Sequence, residues 1–438
     1  MFSSLDNSKL KKYHIKIATL SSTGSLLDGY DISVVSVAIL VLSSKFSLGA
    51  LSQTLLLGST LIGMIFGGVT IGYLTDIRGR KKIYMLDMFL FIIFTFLTAV
   101  SYNFTELIIF RLFLGVAIGA DYAISPTIIS EFSPIKHRGQ LLTLNGIFFY
   151  IGAAASYFAG FLLIPIGDIS WRYMFLLGII PAVIILVLRA SIPESPRWLA
   201  SIGSYKDADK TMKSLGLAIY YDNITPEKSS FKKLFHGKYL KYTIFISIIW
   251  FSLDSVAFVF DLIGPKILTS LKLSPSTASG TAAIVALLAI IGAVITFLLI
   301  DKIGRKTITS VGFLGMTVTL IMAALSFIYF PSILFIVIVI IFLEIFEELG
   351  PGITTAVYPQ ELYPTEIRAT AQGFGTTISR IGAIAGIGLY SLIAVPYGNG
   401  GGLIFLAILS LIGLITAIIM GIETVNKSLE ETSSPDFN

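Results

Sequence analysis

The chain has 438 residues, of which 55% are hydrophobic and 13% are charged, and it contains no cysteine. Charged residues make up about 25% of a typical soluble protein, so this composition excludes an ordinary soluble enzyme and indicates several membrane-spanning segments. The net charge of +5 does not indicate a nucleic-acid partner, because the basic residues fall in short loops between apolar runs. Without cysteine, disulfides and thiol chemistry are excluded. The three histidines lie in polar segments, so no metal site is expected.

Twelve apolar runs are each long enough for a helix that crosses a bilayer, which takes about 20 residues. In chain order they span 17–44, 51–75, 83–101, 105–130, 139–165, 171–192, 241–268, 278–301, 307–329, 332–358, 366–394 and 401–422. The longest polar stretch, 193–240, separates run six from run seven. The pattern predicts an all-α membrane protein with one bundle at 1–192, a cytosolic loop at 193–240, and a second bundle with a short cytosolic tail at 241–438.

Lysine and arginine are distributed unequally between the two sides of the predicted membrane. With both termini in the cytosol, 25 of the 31 fall on the cytosolic side or at its helix ends. The exceptions are Lys45, Arg111, Arg172, Lys266, Lys272 and Arg380. Because cytosolic loops carry an excess of basic residues, both termini are predicted to be cytosolic in a multi-pass protein of the cell membrane. The lysine-rich start lacks a cleavage site and is expected to be a cytosolic tail rather than a signal peptide.

Three charged signatures at predicted cytosolic helix ends occur twice, 225 to 230 residues apart. The segment Asp76 to Arg80 recurs as Asp301 to Arg305. The pair Glu131 and Arg138 recurs as Glu361 and Arg368, and Glu194 recurs as Glu423. Matched signatures at a nearly constant offset predict two pseudo-symmetric six-helix halves, an arrangement in which transporters place their site at the midplane. We expect these residues to form a gate that opens as the halves move. The alternative is static surface ion pairs, each contributing less than about 1 kcal/mol.

These motifs resemble the major facilitator superfamily over nearly the whole chain. Residues 72–81 match the motif of its loop between helices two and three, and residues 193–199, 358–368 and 423–431 resemble the sugar-porter-type branch. The resemblance implies a monomeric secondary transporter in the lipid bilayer, with a small solute and protons as partners and the proton gradient in place of any cofactor. No nucleophile–base set or metal spacing is visible, so the protein is not expected to be an enzyme.

Two carboxylates three residues apart, Asp28 and Asp31, share nearly one helix face in the first run. The segment 28–31 resembles aromatic-acid and related organic-anion proton symporters. Its likeness to sugar porters implies that Asp31 pairs with Arg111 of run four. We expect a proton-sensitive pair, with a permanent structural salt bridge as the alternative, and Asp28 is a second candidate for proton binding.

Asp121 lies inside the apolar, glycine-containing fourth run. A charge at this depth costs several kcal/mol (about 3 on insertion scales) and therefore faces the protein interior or a water-filled cavity. Residues 119–126 resemble helix four of phosphate:proton symporters, which implies that Asp121 and Tyr122 contribute to a substrate and proton site. We expect Asp121 to face the midplane cavity with no charged partner. The alternative is an aspartate that packs between helices and bonds to a hydroxyl group.

In the second half, Trp250 and Asp254 belong to a segment of run seven that resembles the same phosphate family, which has a tyrosine where Phe258 stands here. Asp254 is the cavity candidate, expected to bind a proton or the substrate, and Trp250, Phe258 and Asn145 are expected to belong to the same substrate site. For Asp261, two turns later, a solvated vestibule is an equally good interpretation.

Three glutamates in run ten, Glu344, Glu347 and Glu348, lie on one helix face. Gly350-Pro351-Gly352 follows and is predicted to bend or break the helix. Three carboxylates so close together cannot all stay ionised without cations or water. Proton or cation binding and a structural role in a wet cavity both remain open for this cluster.

Arg380 lies in the middle of run eleven, where a buried guanidinium could hold a carboxylate or phosphate by two hydrogen bonds. The alternative is an arginine paired with Asp254 or with the run-ten glutamates, and a substrate could displace such a pair. Asn145 is the nearest match to the amide of the phosphate family's helix five. Because runs five and seven offer few amides and hydroxyls, a small organic anion or phosphate ranks above a sugar. An organic-cation or drug antiporter is a further alternative, since carboxylates outnumber arginines at membrane depth.

Overall fold

The computed structural model describes residues 2–218, 229–270, 272–330, 332–434 and 437. Six long helices form the first half: α1 (Lys12–Lys45), α2 (Ala50–Arg78), α3 (Arg80–Val100), α4 (Phe104–Phe132), α5 (Arg138–Leu163) and α6 (Ser170–Arg189). The second half contains α7 (Gly237–Ser270), α8 (Pro275–Ile303), α9 (Arg305–Tyr329), α10 in two segments (Ile333–Leu349 and Pro351–Leu362), α11 (368–397) and α12 (399–420). Residues 219–228 of the predicted loop lie outside the described residues.

The predicted twelve-helix architecture is confirmed. Ten helices in the described part of the chain are long and apolar enough to cross a membrane. One of the ten, Arg368–Met420, contains both α11 and α12, which meet at Gly398 with a positive φ of 69°. The twelfth span is α10, which Gly350 divides into segments of 17 and 12 residues. The predicted break at Gly350 is therefore confirmed as well.

Glycine brings the two halves into backbone contact between α2 and α11. A Cβ added to Gly373 would lie 1.9 Å from the carbonyl oxygen of Gly68, and one added to Gly72 would lie 2.6 Å from that of Ala369. Small residues are typical of such contacts within membranes, because they let two helix backbones approach closely. The two bundles therefore pack directly against each other along this seam.

The duplicated signatures have the same geometry in both halves. Gly79 and Gly304, which precede α3 and α9, have φ values of 100° and 91°, a region that favours glycine. The backbone N–H of Arg80 donates to Glu194 at 3.0 Å, and that of Arg305 donates to Glu423 at 3.0 Å. Each glutamate thus caps a helix N-terminus, where a negative charge is favourable. Burial raises the pKa of Glu194, and its bonds from backbone N–H groups act in the opposite direction.

Short helices cover one face of the molecule, here called the terminal face because both chain ends reach it: Ser3–Asp6, Pro196–Ser201, Tyr205–Ser214 and Leu429–Ser433. Asp6 accepts bonds from Arg197 at 2.7 Å and from Arg138 at 3.3 Å. Arg197 also contacts Glu430 near the C-terminus. Burial acts to lower the pKa of Arg197, but the charges of Asp6 and Glu430 hold it above its usual value. This face is the one that the sequence predicts to be cytosolic.

Candidate functional site

A cavity with about 700 Å³ of empty space, its open mouth included, lies between the two bundles. Six of the seven residues that the sequence assigns to substrate binding line it: Tyr122, Asn145, Trp250, Asp254, Phe258 and Arg380. Helices α4, α5, α7 and α11 bring these side chains together from both halves. Their roles in binding stay predictions.

Arg380 lies at the centre of the cavity wall and contacts both bundles. Its guanidinium forms an ion pair with Asp254 of α7. It also lies 4.6 Å from the ring centre of Tyr122 in α4 and 4.6 Å from that of Phe258. Its Nε and Nη2 atoms have no hydrogen-bond partner among the described residues. Arg380 can therefore stay paired with Asp254 and still donate hydrogen bonds to a further group.

Several other polar atoms at the cavity lack partners within the described chain. They are the amide oxygen and nitrogen of Asn145, Nε2 of Gln372 and Oε2 of Glu348. Leaving a buried polar group without a hydrogen bond costs about 1–3 kcal/mol, so folded proteins satisfy nearly all such groups. Donors and acceptors that converge on one cavity are suited to a solute with several polar groups.

The glutamates of α10 line two adjoining cavities. Glu347 and Glu348 face the central cavity, while Glu344 faces a second one toward the face opposite the terminal face, lined also by Asp261. The Tyr150 hydroxyl donates to Glu344 at 2.8 Å and lies 3.4 Å from Glu347. Over the described residues, no cluster has the geometry of a metal site.

The expected pairing of Asp31 with Arg111 is present inside the first bundle. Nη2 of Arg111 lies 3.3 Å from Oδ2 of Asp31, and both side chains are buried. The guanidinium also lies 5.3 Å from the ring centre of Phe175 in α6. The pair therefore links α1 to α4 at membrane depth, and its sensitivity to protons stays a prediction.

The expectation that Asp121 has no charged partner is wrong. Its Oδ1 lies 2.7 Å from Nη2 of Arg189, and its Oδ2 accepts a bond from Ser125 at 2.9 Å. Asp121 lies within the first bundle, against Gly24 of α1, rather than among the residues lining the central cavity. A buried carboxylate is costly alone, and a guanidinium inside the same bundle offsets much of that cost.

Arg189 also joins two residues of α3 to this group. Its Nη1 lies 3.4 Å from Oδ1 of Asp87, and its guanidinium lies 3.7 Å from the ring centre of Tyr84. Asp28 interacts electrostatically with Asp87, Asp121 and Arg189. We call Asp28, Asp87, Asp121 and Arg189 the first-bundle acid cluster. Sequence reasoning missed Asp87 and Arg189. The available signals were an aspartate inside the apolar third run and an arginine inside the sixth.

Gly24 leaves the space that this ion pair occupies. A Cβ at Gly24 would lie 2.1 Å from Nη2 of Arg189 and 2.1 Å from Oδ2 of Asp121. We expect Gly24→Ala to destabilise the purified protein by about 1–3 kcal/mol, the usual cost of overpacking, measured as a lower thermal unfolding midpoint. Gly388→Ala is the control, because a Cβ there meets nothing within 4 Å. Equal midpoints for the two variants would contradict this expectation.

At the terminal face, an aspartate from each half caps a helix of the other half. Asp76 of α2 accepts bonds from the backbone N–H groups of Ala369 at 3.3 Å and Thr370 at 2.7 Å, at the start of α11. Asp301 of α8 accepts bonds from those of Gly139 at 3.1 Å and Gln140 at 2.9 Å, at the start of α5. The predicted gate residues Asp76 and Asp301 thus hold the halves together in a symmetric way.

The arginines of the signatures extend these contacts. Arg80 lies 3.0 Å from Asp76 and 2.9 Å from Glu131, and Glu131 lies 3.1 Å from Arg368 of the other half. Arg305 lies 2.8 Å from both Asp301 and Glu361 within the second half.

Arg138 does not pair with Glu131, the acid of its own signature. It bonds to Asp6 and to the carbonyl oxygen of Lys427 at 3.0 Å rather than to Glu131. The nearby Arg80 and Arg368 occupy Glu131 instead. The contacts that join the two halves close the terminal face of the cavity in this structure.

Comparisons with known proteins agree with this geometry. A family model described as sugar (and other) transporter matches residues 17–434. The putative metabolite transport protein YaaU of Escherichia coli (strain K12) is 30% identical over 433 residues, which cover 98% of this chain and 96% of the relative. The arabinose-proton symporter of Bacillus subtilis (strain 168) is 31% identical over 439 residues, which cover 95% and 94%. The structure of the proton:xylose symporter XylE from E. coli superposes with a TM-score of 0.82 at 24% identity, covering 96% of this chain and 98% of that one.

Proposed function

Since this chain belongs to the sugar (and other) transporter family of the major facilitator superfamily, we propose that it is a proton-coupled secondary transporter for a small polyhydroxylated solute. The observation that carries the proposal is the set of unpartnered polar atoms around the central cavity, on Asn145, Gln372, Glu348 and Arg380. A hydroxyl group both donates and accepts, so a sugar-like solute can satisfy amide, guanidinium and carboxylate groups together. Trp250 supplies an apolar surface in the same wall.

A small anion is the second candidate, and Arg380 is the observation that favours it. Its free Nε and Nη2 atoms could bind a carboxylate or phosphate. However, Asp254 already offsets the charge of Arg380, and the acidic side chains Asp261, Glu347 and Glu348 line the same cavity. An anion would have to displace Asp254 and approach further carboxylates, so the polyhydroxylated solute ranks first, in the reverse of the order inferred from sequence.

We propose that the protein works by alternating access, and the contacts at the terminal face support this. In this structure Asp76 and Asp301 hold the two halves together there. A solute reaches that side once these bonds break and the halves rock apart around the cavity. The orientation with the terminal face in the cytosol, in the cell membrane, is part of the proposal.

We place proton binding on buried carboxylates inside the first bundle. Asp31 with Arg111 is one site, and the first-bundle acid cluster is another. In that cluster three carboxylates share the single guanidinium of Arg189, and Oδ2 of both Asp28 and Asp87 lacks a partner within the described chain. A proton on one of these acids removes a buried negative charge, which changes the relative energy of the two facing states.

The proposal is tested in liposomes that contain the purified protein. We expect uptake of radiolabelled arabinose or xylose to exceed equilibrium when the exterior is more acidic, and to fall to equilibrium when an uncoupler is added. Phosphate, benzoate and a quaternary amine serve as the anionic and cationic comparisons. Accumulation that an uncoupler does not change would contradict proton coupling, and uptake of phosphate or benzoate in place of the sugars would support the second candidate.

Asp31→Asn separates proton coupling from solute movement. We expect the variant to lose at least tenfold in proton-driven accumulation, because the amide cannot release a proton beside Arg111. Counterflow, in which labelled solute exchanges for unlabelled solute without a gradient, is expected to continue. Asp168→Asn, in an exposed turn, is the control and should behave like the natural protein. Unchanged accumulation in Asp31→Asn would exclude Asp31 as a coupling residue.

A further inference from the structure

One wall of the cavity system is strongly acidic. It consists of Asp261 from α7 and Glu344, Glu347 and Glu348 from α10, here called the acidic wall. Their exposed fractions are only 8%, 4%, 6% and 4%. No lysine or arginine forms an ion pair with any of the four in the part of the chain that the structure describes. Arg380, the guanidinium in the central cavity, contacts Asp254 instead.

Hydrogen-bond donors are scarce along this wall. The single hydroxyl hydrogen of Tyr150 can serve Glu344 or Glu347 but not both, and the shorter contact of 2.8 Å is with Glu344. Oε2 of Glu348 is buried and has no partner among the described residues. The wall therefore presents unsatisfied acceptors, and its neighbouring carboxyl groups can stay ionised together only where a cation or water compensates their charge.

Glycine on both sides of Glu348 leaves room for its carboxylate. A Cβ at Gly146 of α5 would lie 2.4 Å from Oε2 of Glu348, and one at Gly352 would lie 2.4 Å from Oε1. Any larger residue at either position would displace the carboxylate. Glu348 is thus held at the boundary of the two bundles, where both Gly146 and Gly352 also line the central cavity.

Aromatic rings supply the rest of the surface near these acids. Phe149, Tyr150 and Trp250 line the central cavity besides Tyr122 and Phe258, whose rings flank the Arg380 guanidinium. The negative faces of aromatic rings attract cations, most strongly where water is excluded. Carboxylates and aromatic faces together form an environment that stabilises a positively charged group.

We propose that the transported solute carries a protonated amine, which lies against Glu347 and Glu348 while its hydroxyl groups bond to Asn145, Gln372 and Arg380. This inference rests on the proposed function and narrows its substrate class to amine-bearing polyhydroxylated compounds. A neutral sugar offers the acidic wall hydroxyl groups only. An ammonium group offers three N–H donors and a charge that offsets that of the glutamates.

Sugars that differ in one substituent test the inference. D-glucosamine, N-acetyl-D-glucosamine, D-glucose and D-glucuronate are compared at pH 6, where the free amine is protonated, at equal concentration and ionic strength. The readouts are stabilisation of the purified protein against thermal unfolding and uptake into liposomes. We expect glucosamine to bind at least tenfold more tightly than glucose or its neutral N-acetyl derivative, and glucuronate to bind most weakly.

Variants of the acidic wall identify where the amine lies. Glu348→Gln is expected to reduce the preference for glucosamine over glucose at least fivefold, while Glu348→Asp retains it. Glu431→Gln, at an exposed acid on the terminal face, is the control and should keep the full preference. Glu347→Gln provides a second test should Glu348→Gln fail to fold.

The outcomes separate this inference from the proposed function. Proton-driven accumulation of neutral sugars, with glucose bound as tightly as glucosamine, would contradict the inference that the solute carries a protonated amine. The proposed transport function would still stand. Tighter binding of glucuronate than of glucosamine would also contradict the inference of a protonated amine. Absence of proton-driven accumulation for every solute tested would overturn the proposed function itself. A glucosamine preference that survives in both glutamine variants would overturn the assignment to the acidic wall.

Discussion

Replacing Arg189 with leucine is expected to lower the free energy of unfolding by about 3–5 kcal/mol, the usual effect of removing one member of a buried ion pair. Arg189 bonds to Asp121 at 2.7 Å and to Asp87 at 3.4 Å, and all three side chains are buried. Without the guanidinium, the first-bundle acid cluster would retain its carboxylates and lose its positive charge. The measurement is the thermal unfolding midpoint of the purified protein.

Neutralising an acid should restore part of this stability. The double variant Arg189→Leu with Asp121→Asn is expected to unfold at a higher temperature than Arg189→Leu alone, because one uncompensated charge is gone. For the same reason the deficit of Arg189→Leu should shrink as the pH falls and the acids become protonated.

Arg78→Leu is the control for the arginine variant, since its side chain is exposed at the end of α2. An Arg189→Leu midpoint equal to that of Arg78→Leu would show that the acid cluster does not depend on its guanidinium. A double variant no more stable than the single one would show that Arg189 contributes packing rather than charge.

Glu131→Gln is expected to open the terminal face of the cavity. Glu131 bonds to Arg80 of its own half and to Arg368 of the other half at 3.1 Å. Loss of a charged bond between halves, worth about 1.4 kcal/mol or more, shifts the equilibrium between facing states about tenfold. Because the chain contains no cysteine, Ser25→Cys in the cavity wall can be labelled alone. We expect a maleimide added from the terminal side to react about tenfold faster in the Glu131→Gln background.

The repeat supplies a matched control, Glu361→Gln. Glu361 bonds to Arg305 within its own half at 2.8 Å and acts on Arg138 of the other half only through charge at longer range, so its loss should open the terminal face less than the loss of Glu131. Equal labelling rates in the two backgrounds would show that the bond to Arg368 does not hold the face closed.

The repeat and the positions of polar residues at membrane depth were sufficient to predict the architecture. Offsets near 230 residues indicated two halves, and the geometry of Gly79 and Gly304 repeats accordingly. Six of seven proposed binding residues line one cavity. For Asn145, Asp254 and Arg380 the reason is that polar side chains in apolar helices face the protein interior. The break at Gly350 follows from local chemistry, since glycine and proline adjoin there.

The partners of buried charges could not be predicted in the same way. Arg189 lies 68 residues from Asp121 in sequence, and its position at the end of α6 is equally consistent with an arginine facing the cytosol. Only the relative rotation of α4 and α6 brings the two together, and neither periodicity nor motif specifies that rotation. Asp6 is a similar case, since a polar tail gives no indication that it folds back onto Arg138 and Arg197.

The two halves differ in the continuity of their helices although their signatures match. Ion pairs connect α1 with α4, α4 with α6, and α6 with α3 across the first bundle. In the second bundle α10 is interrupted at Gly350, directly after Glu347 and Glu348. The first bundle is therefore suited to move as one body, whereas α10 can pivot locally at its interruption. A solute that contacts the two glutamates would therefore bind next to this pivot. Binding in the cavity would then be coupled directly to bending of α10.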